Sequence, residues 1–299
     1  MAVDINLTPT GSLVEIVPQS GQSSQGHGNN QIITGRTWGT ASECRSAALL
    51  VHGLGAHSGW FEALGRRLRV KQYFSLAYDQ IGFGPRRHQD FFMKQQWLDD
   101  IKEAYQYLQD TVGDKPIFIM GNSMGALVAI KALAELNPAG LVMFSPGFDG
   151  HPETFRLTYR LRAIYKAFFD PDSELALPYG PNEITREPQI RQWIAADPDG
   201  RFNLSARMLL ELLKLTSEVK TSMRKVPCPV MMFTSGQERI VNNQVNDLLF
   251  ERIVAPRKDK HRFDEAFHDL MFDPVLDSLV DMLSTWMNEV ARDKQKQLS

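Results

Sequence analysis

Short apolar runs alternate along this chain with longer segments whose apolar residues recur at helical spacing. Ala47 to Val51, Phe74 to Tyr78, Ile117 to Met120, Leu141 to Phe144 and Val230 to Phe233 are almost wholly apolar, the pattern of strands buried on both faces. Between them Trp60 to Val70, Trp97 to Leu108 and Ala126 to Leu136 read as helices. A terminal helix is predicted from about Val275 to Ala291, with Leu276, Leu279, Val280, Leu283 and Met287 on one face. Strands of this kind separated by helices predict an α/β fold with a parallel sheet covered on both sides. Two further strands are predicted at residues 12–17 and 31–38, divided by a Gly/Ser/Gln/Asn stretch at about 18–30 that reads as a mobile polar loop.

The alternation lapses around residues 150–225. Phe155, Leu157, Tyr159, Leu161, Ile164, Tyr165, Phe168 and Phe169 come first, then the Pro-rich Leu177 to Pro181, then a helical run near Ala206 to Leu215. We read 150–205 as a helical insertion, too short and too apolar to stand alone. It divides a core made of 1–149 and 206–299.

A length of 299 residues suits one large α/β domain carrying an insertion. The formal net charge of -2 offers no field for attracting nucleic acid, which is excluded as a partner. Cys44 and Cys228 are too few for a disulfide framework and lack zinc or redox spacing, so buried free thiols and no metal are expected. The N-terminus has no basic, then apolar, signal-like pattern, and no run of about 18 apolar residues occurs. A cytoplasmic, non-spanning protein is expected.

The chemistry concentrates at a few loops. Ile117-Phe-Ile-Met-Gly121-Asn-Ser123-Met-Gly125-Ala-Leu-Val reads as strand, Gly-x-Ser-x-Gly, helix. A serine on so sharp a turn has strained backbone angles, and side chains at the flanking glycines would collide with neighbouring elements. Its hydroxyl stands at a helix N-terminus, where free N–H groups and the dipole favour developing negative charge. Ser123 is thus the candidate nucleophile. The Gly-rich loop Leu49-Leu-Val-His52-Gly53-Leu54-Gly55 closes an earlier strand, so the oxyanion donors are assigned to the backbone N–H groups of Leu54 and Met124.

A base and an acid must follow the nucleophile in chain order. Of His151, His261 and His268, the first falls too early and the second lies in the charged run Arg257 to Arg262, read as solvated surface. His268, just ahead of the terminal helix, is the candidate base. Glu238, after the Val230 to Phe233 strand, is the candidate acid, with Asp149 as the reserve.

These residues resemble the bacterial lysophospholipase and monoacylglycerol lipase family of α/β-hydrolases. The likeness is carried by His52-Gly-Leu-Gly-Ala-His-Ser-Gly, Asp79-Gln-Ile-Gly-Phe-Gly, Gly121-Asn-Ser-Met-Gly, Ile184-Thr-Arg-Glu-Pro, Glu238-Arg-Ile-Val and Ala266-Phe-His-Asp, in the family's order over about 30–290. It implies an eight-stranded, mostly parallel sheet, an α-helical cap over the site, no cofactor, and hydrolysis of single-chain lipid esters. Ala56 and Trp60 stand where members acting on monoacylglycerol often carry Glu and Arg, which points toward lysophospholipid or a general acyl ester. Substrate contacts are expected at His52, Gly53, Trp60, Phe148, Phe155 and Tyr159. The basic residues Arg156, Arg160, Arg162 and Lys166, interleaved with aromatics, suggest a transient contact with membrane surfaces through the cap and hence a peripheral location. An acyltransferase using the same acyl-enzyme, or a silent ligand-binding relative, are the alternatives.

Overall fold

The computed structural model describes residues 9–18 and 31–298; most of the polar loop expected at 18–30 falls outside them. Eight strands form one sheet: β1 (Ser12–Ile16), β2 (Ile33–Trp38), β3 (Ser46–Val51), β4 (Tyr73–Tyr78), β5 (Ile117–Asn122), β6 (Gly140–Phe144), β9 (Val230–Ser235) and β10 (Lys258–Phe263). Their order across the sheet is β1-β2-β4-β3-β5-β6-β9-β10. β1 pairs antiparallel with β2 and β2 with β4, and all the other pairs are parallel.

Every residue of β3, β4, β5, β6 and β9 is buried, because helices cover both faces. On one side lie α2 (Gln95–Val112), α3 (Met124–Ala132), α7 (Ala206–Ser222) and α8 (Asn243–Arg252), whose Ile101, Leu127, Leu215 and Phe250 share a core with Leu49, Ile119 and Met143. On the other lie α1 (Glu62–Val70) and α9 (Leu276–Leu298), whose Leu64, Leu283 and Trp286 pack on Leu50, Phe118 and Phe144.

The charged run read as solvated surface is the edge strand β10, parallel to β9. Both descriptions hold, since an edge strand with one flank in water can leave Lys260 and Arg262 exposed while Lys258 stays partly buried. His261 stacks on Phe233 at 5.6 Å between ring centroids. Between β6 and α7 the 150–205 segment holds α4 (Leu157–Phe169), β7 (Glu174–Ala176), α5 (Pro181–Ile184), α6 (Pro188–Ala196) and β8 (Asn203–Ser205), with β7 and β8 forming a separate antiparallel ladder. That small ladder was not foreseen. Among the described residues no helix is long and apolar enough to cross a membrane.

Candidate active site

The parallel strands β3, β5, β6 and β9 end on one side of the sheet, where the loops carrying the candidate residues gather. Ser123 joins β5 to α3 with φ 52° and ψ −115°, outside the comfortable regions for a non-glycine residue. The surroundings hold it there. A Cβ on Gly121 would lie 2.5 Å from the Ala126 backbone, and one on Gly125 would lie 2.1 Å from the Val51 carbonyl oxygen. Both glycines are therefore demanded by close approach, as the sequence predicted. The Ser123 N–H donates to Phe144 O at 2.9 Å, and its own carbonyl accepts from Ala126 and Gly147, both at 3.1 Å.

The Met124 N–H opens α3, and Leu54 follows Gly53 in the loop after β3. Among the described residues neither N–H has a hydrogen-bond partner. Two free donors beside a strained serine form a place for a negatively charged oxygen. The Leu54 loop is pinned by His52, whose Nε2 accepts from Gln80 N–H at 3.0 Å, leaving Nδ1 to donate to Gly53 O at 2.8 Å. Burial holds this imidazole neutral, pushed down to about 4. Further along, His57 Nδ1 accepts from Gly59 N–H at 3.0 Å. Its Nε2 therefore donates to Asp197 Oδ2 at 2.8 Å, an oxygen that also accepts from Trp60 Nε1 at 2.8 Å. Arg201 N–H donates to Gly55 O at 2.9 Å. The Leu54 loop and the 150–205 segment are thus joined by hydrogen bonds.

Glu238 lies in the loop from β9 to α8 and His268 in the loop between β10 and α9. His268 Nδ1 faces both carboxylate oxygens of Glu238, at 2.9 and 3.0 Å. The carboxylate also accepts from Ser235 Oγ at 2.7 Å, Ile240 N–H at 2.8 Å and Val241 N–H at 3.1 Å, which fixes its orientation. Burial opposes ionisation of Glu238, but the His268 imidazole beside it and these donors outweigh burial and lower its pKa. Burial likewise opposes a charged His268, and the charge and hydrogen bond of Glu238 outweigh it, so His268 is raised. Asp149, the reserve acid, pairs instead with Arg160 at 3.2 Å.

The loops that carry Ser123 and His268 are joined beside these residues: Asn122 Nδ2 donates to Asp269 Oδ2 at 3.1 Å, across 147 positions of sequence. Neither residue had a signal in the sequence beyond its adjacency to a candidate.

A largely apolar cavity of about 120 Å³ opens onto Ser123, Leu54 and Met124. Phe155, Tyr159 and Ala163 of the insertion, Leu209 and Leu212 of α7, and Leu127 of α3 complete much of its wall. Of the expected substrate contacts, Phe155 and Tyr159 lie in this lining. His52, Gly53, Trp60 and Phe148 do not; they are buried, His52 and Phe148 at 0% exposure. His52 bonds Gly53 O and the Gln80 N–H, and Trp60 donates to Asp197.

Comparison with known proteins bears on this geometry. The model of the Hydrolase_4 family, described as "Serine aminopeptidase, S33", matches residues 42–275. The chain is 24% identical over 271 residues to the human monoglyceride lipase, covering 87% of this chain and 88% of that one. A soluble variant of the Saccharomyces cerevisiae monoglyceride lipase, solved with a substrate analogue, superposes with a TM-score of 0.83 at 17% identity, covering 97% and 99% of the two chains. The monoacylglycerol lipase of Paleococcus ferrophilus gives a TM-score of 0.76 at 21% identity, covering 86% and 99%. The shared architecture is the α/β-hydrolase fold.

Proposed function

The chain belongs to the Hydrolase_4 family of α/β-hydrolases, and from that premise we propose that it hydrolyses carboxylic esters of single-chain lipids through an acyl-enzyme on Ser123. Ser123 Oγ attacks the ester carbonyl carbon while His268 Nε2 takes its proton. The carbonyl oxygen becomes an oxyanion held by the N–H groups of Leu54 and Met124. Glu238 fixes the imidazole by its Nδ1–H and stabilises the imidazolium. Collapse expels the alcohol, which receives the proton from His268. Water, deprotonated by the same nitrogen, then releases the fatty acid and restores Ser123.

The observation that carries this reading is the cavity: Ser123 and both candidate donors open onto a wall made largely of leucines, aromatics and an alanine, suited to an acyl chain. The family's description as an aminopeptidase raises peptide bonds as a substrate. An aminopeptidase needs a free carboxylate for the α-amino group, and the one acid in the lining, Asp149, is already engaged by Arg160. Esters fit better. The names of its relatives favour monoacylglycerol, whereas Ala56 and Trp60, both buried, give the oxyanion loop no polar side chain to spare for a glycerol head group.

A series of p-nitrophenyl esters, with monoacylglycerol and lysophosphatidylcholine alongside, tests the reading. Each methylene buried is worth roughly 0.8 kcal/mol, so kcat/KM should rise severalfold per added CH₂ until the cavity fills. Equal activity from acetyl to dodecanoyl esters would reject the acyl site.

The insertion serves in this reading as the cap and as a transient contact with lipid surfaces. Leu157, Leu161, Tyr165, Phe168 and Phe169 share one face of α4 and are all more than half exposed, while small Ala163 and Ala167 turn inward. Large apolar residues outward and small ones inward invert the usual pattern of a surface helix.

A further inference from the structure

One buried polar contact lies between the nucleophile and base loops and takes no part in the chemistry above. Asn122 is the last residue of β5 and immediately precedes Ser123; Asp269 immediately follows His268. They are 4% and 3% exposed, and the Asn122 amide donates to Asp269 Oδ2 at 3.1 Å. The other carboxylate oxygen accepts the Met271 N–H at 3.1 Å, and the Asp269 N–H donates to Ile184 O at 3.0 Å.

The Met271 bond makes Asp269 an ordinary cap of the short turn at 270–272. It leaves the Asn122 bond unexplained. Asn122 keeps that bond while its side-chain amide oxygen Oδ1 lacks a partner among the described residues, an arrangement that costs stability. Burial pushes the Asp269 carboxyl up to about 6, against the pull of His268, the Met271 N–H and the Asn122 amide. Two apolar side chains would fill this space without either cost. What an apolar pair would not supply is a directional link between the β5–α3 turn and the β10–α9 loop.

We propose that Asn122 and Asp269 are positioning residues, whose hydrogen bond sets the separation of the Ser123 hydroxyl from the His268 imidazole. The inference rests on the roles of Ser123 and His268 given above. Each partner is one residue from the group it places, so a shift in this bond is passed on almost undiminished. Proton transfer between hydroxyl and imidazole demands hydrogen-bond reach, and a displacement near 1 Å costs roughly 10²-fold in rate. The substrate cavity is lined by neither residue, so the effect falls on kcat and leaves KM alone.

The test is an exchange of the two side chains, read on a short soluble p-nitrophenyl ester, with melting temperature and fluorophosphonate labelling rate measured alongside. Asn122→Asp sets two acids face to face, and kcat and labelling should fall about 10²-fold with KM unchanged. Asp269→Asn can still accept the Asn122 amide and should keep kcat within about fivefold. In the double variant an acid at 122 accepts from an amide at 269, and kcat should return to within about tenfold of the parent. Should Asn122→Asp fail to fold, Asn122→Ala replaces it, with a loss of about tenfold expected. Full kcat in Asn122→Asp or Asn122→Ala would overturn the proposal. So would a double variant whose melting temperature recovers while kcat does not. Loss of labelling in Ser123→Ala, run in parallel, verifies the nucleophile independently, so a failed exchange counts against the positioning pair alone.

Discussion

Two helices wall the same cavity and are built by opposite rules. α3 is buried at every position but Lys131, starts from a strained serine, and is wedged so tightly that a methyl group on Gly125 would strike the Val51 carbonyl. α4 turns alanines inward and its large apolar residues to solvent. The first arrangement holds atoms to fractions of an ångström. The second leaves room to accept different occupants and gives water a surface it would rather not wet. The lipid-ester hydrolysis proposed above needs both, one at the reacting carbon and one along the chain. If the contrast is real, changes near α3 should abolish turnover whatever the substrate, and changes on α4 should act only when the substrate is presented as lipid.

The largest effect belongs to Ser123. Ser123→Ala should lower ester turnover by roughly 10⁴-fold or more on every substrate and abolish fluorophosphonate labelling, because such groups act as a unit. Turnover retained on any ester would remove the nucleophile assignment.

Glu238 comes next. Glu238→Gln should lower kcat by roughly 10³-fold by favouring the wrong imidazole tautomer, while Asp149→Asn costs little. The pH dependence has a definite sign. His268 must be neutral to act as base, and against burial the charge of Glu238 raises its pKa, so the acidic limb of kcat/KM should lie above the ordinary histidine value. The same pair stabilises the fold below the unfolded histidine pKa, and that stability fades as pH rises through the raised value. Glu238→Gln should move whatever limb survives downward. An upward move would contradict the pairing.

The turn that carries Ser123 and the strands that lead to the site were legible in the sequence. The reason is local: Gly121, Ser123 and Gly125 answer to a single turn, and β3, β5, β6 and β9 are buried on both faces and so read as unbroken apolar runs. β10 was missed as a strand because half of an edge strand faces water and its lysines masked the pattern. His52 and Phe148, expected as substrate contacts, are fully buried and lie outside the cavity lining. The His57–Asp197 and Asn122–Asp269 bonds, 140 and 147 positions apart, leave no periodicity to read. They exist only once the sheet has brought the loops together.

The His57–Asp197 bond ties the loop carrying Leu54 to the 150–205 segment, and it offers a middle-sized effect. Asp197→Ala leaves the Nε2–H of His57 and the Nε1–H of Trp60 without their shared acceptor and loosens the loop that carries Leu54. We expect kcat to fall about tenfold on all esters, since one oxyanion donor is displaced but not lost. Asp197→Asn offers an oxygen to both donors and should be milder. Equal losses in the two variants would mean that the charge of Asp197, and not its geometry, holds the loop.

The smallest effect, and the one that isolates α4, should appear only at an interface. Phe168 and Phe169 are more than two-thirds exposed at the end of α4, and Leu161 and Tyr165 extend the same face. Replacing Phe168 and Phe169 by Ser removes no buried contact of consequence, so melting temperature and activity on a soluble butyrate ester should stay near the parent values. Bilayer binding scales with apolar area buried in the interface and with attraction of cations to anionic lipid. The double variant should therefore lose about three- to tenfold in activity on monoacylglycerol carried in vesicles, more on anionic than on neutral ones, because Arg156 and Arg162 stand beside the patch. Equal loss on the soluble ester would place these phenylalanines in folding or in the cavity. No loss on either substrate would leave the outward face of α4 without a part in lipid contact, and the contrast with α3 would reduce to burial alone.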